Sequence, residues 1–150
     1  MLLTNKRTAW LYNAILLFMS TPGTAGDPAS FLLPCPASPN CVSSIASDPE
    51  HAIEPIAFDM QPEQAWERLK QVLGTEKRTA IRAEKGGYLR VEYRSRVFRF
   101  VDDVEFVLVP GAKVIHVRSA SRTGHSDFGV NRARVERLRA AASGLARLIR

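Results

Sequence analysis

The sequence is poor in the residues that most often carry chemistry. It holds two cysteines and three histidines in 150 residues, and His51, His116 and His125 fall in three separate segments. No HExxH pattern, nucleophile elbow or phosphate loop is present, which leaves zinc-peptidase, serine-hydrolase and phosphate-loop chemistry without a motif. Cys35 and Cys41 flank PASPN, a gap too wide for the CxxC of a thioredoxin-like site, and no companion pair completes a zinc site with His51. A membrane span of roughly 20 apolar residues is missing as well. The run from Ala9 to Met19 is about half that length. Internal repeats and long low-complexity tracts are also absent.

What remains is an ordinary globular composition, 45% apolar and 24% charged, enough for one domain with one core. The first residues, MLLTNKRTAWLYNAILLFMSTPGTAG, combine basic Lys6 and Arg7, the apolar run, and small Gly23 and Ala25 spaced like a cleavage site. Residues 1–25 therefore read as a secretory signal peptide and the protein as exported, periplasmic or secreted. An uncleaved signal acting as a membrane anchor is the alternative. A lipoprotein does not fit, because Cys35 follows Pro34 and stands too far from the apolar run. Loss of Lys6 and Arg7 lowers the formal charge from +6 to +4, since no acid precedes Asp27. A basic chain attracts nucleic acid or anionic lipid headgroups, and export argues against nucleic acid as a partner. A solvated arginine-rich helix face is the plainer reading of the same charge.

Residues 26–52 read as a Pro- and Ser-rich arm, loop or extended chain, and residues 53–150 as the folded domain. Ile53 to Phe58 suits a short strand. MQPEQAWERLKQVLG suits a helix, with Pro62 in the first turn, a stripe of Ala65, Trp66, Leu69, Val72 and Leu73, and Gly74 at the end. Thr79 to Glu84 leads through Lys85, Gly86 and Gly87 into Tyr88 to Arg94, a hairpin. Val97 to Val109 is a long strand-like run with a bend expected near Asp102 and Asp103. Pro110 and Gly111 turn it into Val114 to Ala120. From Asn131 to Arg150, Val135, Leu138, Ala142, Leu145 and Ile149 form a helical stripe. The order β-α-β-β-β-β-α predicts an α+β fold, an antiparallel sheet with both helices packed on one face. That order is similar to the TBP-like and helix-grip folds, a likeness that assigns no function.

The hairpin at Pro110 and Gly111 fixes a register in which Phe106 faces Val117, Leu108 faces Ile115 and Val104 faces Ser119. On the other face Glu105 then lies opposite Arg118, Val107 opposite His116 and Asp103 opposite Ala120. Glu105 and Arg118 make a cross-strand ion pair worth roughly 0.2–1 kcal/mol if exposed. Asp102, Asp103 and Glu105 are alternatively paired carboxylates for acid–base chemistry or a cation site, but neighbouring Arg118 and Arg122 favour ion pairing. In SRTGHSDFGVNR, Gly124 and Gly129 suit a turn, and Asp127 or Asn131 suits a cap on the last helix. A helix start beside Arg122 and Arg132 is the competing anion site. In an exported protein the even pair Cys35 and Cys41 suggests a disulfide contributing about 2 kcal/mol, with redox or metal use as the alternatives.

CPASPNCVSS, the Trp66 helix, FRFVDDVEF and IHVRSASRTGHSDFGVNRARVERLR together resemble the domain-of-unknown-function family 1499 over Cys35 to about Leu138. The resemblance implies that the cysteine loop, the DDVE acids and the RSxSRxGxSDxGxNRxR segment are family hallmarks, His125 departing from an aromatic residue. It brings no reaction, cofactor or substrate, and no cofactor is expected. The leading expectation is a non-enzymatic domain that binds a small amphipathic or anionic, lipid-like ligand between the sheet and final helix. Its candidate ligand residues are Asp103, Glu105, Arg118, Arg122, Asp127, Asn131 and Arg132. The rivals are an enzyme using Asp103, Glu105 and Arg122, and an interaction module whose arm docks a protein partner on a membrane-associated complex.

Overall fold

The computed structural model of the protein describes residues 28–96 and 99–143. The signal segment lies outside them, as do Val97, Leu145 and Ile149. Six strands form one antiparallel sheet: β1 Cys41–Ser43, β2 Ile56–Ala57, β3 Thr79–Lys85, β4 Tyr88–Arg94, β5 Val101–Val109 and β6 Val114–Ser121. The strand order is β1-β6-β5-β4-β3, and β2 shares β6 with β1. Helices α1, Pro62–Thr75, and α2, Val130–Ala142, complete an α+β architecture.

The two hairpins set the frame. Gly86 and Gly87, at φ of 56° and 82°, supply the left-handed turn that closes β3 on β4, with Lys85 opposite Tyr88. Between β5 and β6 a 3-10 turn at Pro110–Ala112 ends on left-handed Lys113, and Val109 faces Val114. The pairs expected from that turn are those found, among them Phe106 with Val117 and Glu105 with Arg118. β5 begins at Val101 and keeps its register through Asp102 and Asp103, so the expected bend is absent. Each acid meets arginine on its own face, and the strand gains nothing by kinking.

One face of the sheet presents Leu89, Val91, Tyr93, Val104, Phe106, Ile115 and Val117 to a single core shared with both helices. α1 contributes Ala65, Trp66, Leu69 and Leu73, and α2 contributes Val135, Leu138 and Ala142. Full burial of such side chains stabilises by roughly 1.5–3 kcal/mol each, so this contact dominates the fold. The helix continues past Gly74 to Thr75, whose Oγ1 donates to the Val72 carbonyl at 2.7 Å. Because Leu69, Leu89, Val91, Phe106, Val135 and Leu138 fill the space between helices and sheet, the position expected for an amphipathic ligand is occupied by the protein's own side chains.

The segment expected as an arm over 26–52 contributes a strand. β1 pairs with β6 through Cys41–Ala120, Val42–Ser119 and Ser43–Arg118. Three residues among prolines and serines are too few for a period to show, so tertiary pairing alone makes this strand. Leu32, Cys41, Val107 and Ala120 are buried yet stand outside the main core. They mark a smaller apolar contact on the face away from the helices, where a 3-10 turn at Pro28–Phe31 lies against β5. The Cys35–Cys41 disulfide, with Cα atoms 5.7 Å apart, closes the loop between that turn and β1.

Candidate anion-binding site

The sequence-predicted residues divide between the two faces. On the face away from the helices, Glu92 of β4 stands directly opposite Asp103 of β5. Two carboxylates in register repel unless bridged. Arg122 supplies the bridge: its Nε donates to Asp103 Oδ2 at 2.7 Å, and its Nη2 donates to Asp103 Oδ1 at 2.9 Å and to Glu92 Oε1. Arg82 Nε donates to the other Glu92 oxygen at 2.6 Å. The Arg82 bond, reinforced by Arg122, holds the Glu92 carboxyl below its usual range against the opposing effect of desolvation. Asp103 and Glu92 in turn push the Arg122 guanidinium further up.

One rung along, Glu105 accepts from Arg118 Nη1 at 3.0 Å and from the Tyr88 hydroxyl at 2.7 Å. Burial, then the Glu105 bond, push Tyr88 up to about 12, so it stays a donor. Asp103 and Arg122 thus pair with each other, and Glu105 pairs with Arg118. Among the described residues no group of three or more His, Cys, Asp or Glu is placed to hold a metal.

The other predicted residues do not join them. Asp127 accepts from the Gly129 and Asn131 amides at 3.0 and 2.7 Å, capping the start of α2 while Gly129 takes φ 78°. Asn131 points into the core. It accepts from Ser119 Oγ at 2.6 Å and donates to the Asn40 carbonyl and Ser121 Oγ at 2.9 and 3.0 Å. Arg132 donates to the Ala52 and Glu50 carbonyls, both at 2.8 Å, pinning the segment after β1. Arg122, just after β6, and Arg132, in α2, are therefore each bonded to separate partners.

Sequence reasoning missed a third assembly. Arg78, Arg94, Arg96 and Arg99, with Thr79, Ala80, Glu92 and Ser95, line an open cleft of about 330 Å³ where β3 begins and β4 ends. The loop between β4 and β5 is closed by Ser95, whose amide donates to the Phe100 carbonyl and whose Oγ accepts from the Phe100 amide, both at 2.9 Å. Arg78 Nε donates to the Arg94 carbonyl at 3.2 Å. Arg94 lies 3.8 Å from Glu92, which Arg82 and Arg122 already neutralise. Arg96 and Arg99 are exposed and have no hydrogen bond or ion pair among the described residues. Arg78 and Arg99 hold φ of 59° and 56°, a left-handed backbone that arginine adopts only under constraint. The signal was the run RVEYRSRVFR, with Arg94, Arg96 and Arg99 within six residues of one another at a strand junction. Arg78 joins them only through the fold.

A family model described as Protein of unknown function (DUF1499) matches residues 32–142. The chain belongs to DUF1499. No curated protein matches it, and no solved structure does. In this DUF1499 chain the matched span runs from buried Leu32 to Ala142, the last residue of α2, and takes in all six strands and the arginine cleft. A Ser–His contact in it also escaped the sequence: Ser44 Oγ accepts the Val117 amide at 2.9 Å and lies 3.0 Å from His116 Nδ1. Ser44 Oγ thus joins the Val117 amide to the His116 ring. It substitutes for a ladder bond where β1 leaves β6.

Proposed function

We propose that this DUF1499 protein is an exported, non-enzymatic binding domain whose ligand carries an anionic group, held at the Arg78–Arg94–Arg96–Arg99 cleft. The observation that supports it is charge imbalance. Four arginines line one open cleft whose single acidic residue, Glu92, is already paired with Arg82 and Arg122. Planar guanidinium groups suit phosphate or carboxylate oxygens through paired hydrogen bonds. The acid–arginine lattice around Asp103 and Glu105 has no such surplus, and it serves the sheet. Export rests on the pattern of residues 1–25, and the Cys35–Cys41 bond fits an oxidising compartment.

Titration of the full chain with pyrophosphate at low salt, followed by amide chemical shifts, tests the reading. Shifts centred on Ser95, Arg96 and Thr79, absent in the Arg96→Glu/Arg99→Glu double variant, are the expected result. Shifts unchanged in that variant, or clustered around Asp127 and α2, would overturn it. Fractionation with the mass of the recovered chain tests export: loss of residues 1–25 is expected, and an intact cytoplasmic chain contradicts it.

A further inference from the structure

We infer that the arginine cleft is a docking site for an anionic membrane surface, and that Phe100 enters the interface beside it. The inference rests on the anion-binding reading and names the bearer of the anion. Phe100 is 53% exposed and belongs to the same short loop as Arg96 and Arg99. The two hydrogen bonds between Ser95 and Phe100 tie Phe100 to a residue of the cleft wall. Ile81, 52% exposed, stands on β3 two residues from Thr79 of the cleft wall.

A soluble anion needs the arginines alone. Exposed large apolar side chains together with arginines are the composition of a membrane-interface anchor, where the ring settles at headgroup depth and the arginines meet phosphates. The charge around the cleft is complementary to such a surface. An anionic bilayer attracts each nearby arginine, and that attraction falls within a Debye length.

The experiment measures sedimentation of the full chain with vesicles of phosphatidylcholine alone and of phosphatidylcholine with phosphatidylglycerol. Residues 1–25, with Lys6, Arg7 and the apolar run, are present in every sample, so the reading is the change in anionic preference between wild type and each variant. Wild type is expected to prefer them by roughly tenfold or more at low salt. Arg96→Glu/Arg99→Glu should lower that preference several-fold. Phe100→Ser should weaken vesicle binding several-fold while leaving the pyrophosphate-induced shifts unchanged. Thermal unfolding of each exposed-site variant verifies that the fold is intact. If Phe100→Ser binds vesicles like wild type, or wild type shows no preference yet keeps its pyrophosphate shifts, the membrane inference fails and a soluble anion is the ligand. If preference and shifts are both absent, the anion-binding reading falls with it.

Discussion

Strand alternation sends Asp102 toward α2 and its neighbour Asp103 to the opposite face of the sheet, and each meets an arginine there. The Asp102–Arg134 pair is enclosed, with side chains 11% and 7% exposed, whereas Arg122 beside Asp103 is 44% exposed. Burial of two charges costs several kcal/mol in desolvation and is tolerated only with further hydrogen bonds. Arg134 has them: it donates to Ser119 Oγ at 2.9 Å and Asn131 Oδ1 at 2.6 Å, and lies 4.6 Å over the Tyr93 ring. Arg122 needs no such enclosure, because water already solvates it. Identical pairing chemistry therefore does two jobs. Under α2 it locks helix to sheet, and on the other face it cancels the repulsion between Glu92 and Asp103.

The largest effect expected is from breaking the buried pair. Arg134→Leu leaves Asp102 without its counter-charge and should lower unfolding free energy by about 3–5 kcal/mol in urea titration. Adding Asp102→Leu should recover a substantial part of that loss, since the uncompensated charge is gone. A double variant no better than the single one would contradict the account. On the open face Arg122→Gln should shift the urea midpoint by a small fraction of the Arg134 effect. The shift should shrink as salt rises from about 0.02 M to about 1 M, where surface charges are screened. Equal losses at both arginines would erase the distinction between the faces.

The smallest effect sharpens the comparison with a pair of intermediate burial. His51 is buried and lies 2.7 Å from Asp48 Oδ1 and 3.2 Å from the Ser38 carbonyl, both acceptors that favour the protonated ring. The Asp48 bond first, then Ser38, raise its pKa above the usual 6.5. His51 thus stabilises fully below that value, and the contribution is lost as pH rises through the higher folded value. Asp48 is held below its usual 3.8, chiefly by the His51 amide, and its contribution disappears only as pH falls below that. Thermal unfolding at about pH 5.5 and about pH 8 should show wild type losing stability at the higher pH by more than His51→Gln does.

Much of this molecule was legible in one dimension. Alternation in Tyr88–Arg94, the apolar stripe of α1 and the tight turn at Pro110 predicted the strands, the helix and the Glu105–Arg118 register, because local chemistry decides each of them. Glu92 opposite Asp103 was not legible: the connection from β4 to β5 is too long for its turn to dictate register. β1 escaped for another reason, since Cys41–Ser43 is shorter than any detectable period.

The sequence by itself determined the α+β class, the buried faces of β4, β5 and β6, the family, and a cap on α2 at either Asp127 or Asn131. Those follow from side-chain period, turn geometry and residues close along the chain. Only the tertiary structure decided that Arg122 and Arg132 are committed to separate partners and that Asn131 is a core residue. It also brought Arg78 across from the turn before β3 to join Arg94, Arg96 and Arg99. Which charges cancel and which remain is set by distances between residues remote in the chain, and those distances exist only once the sheet has paired.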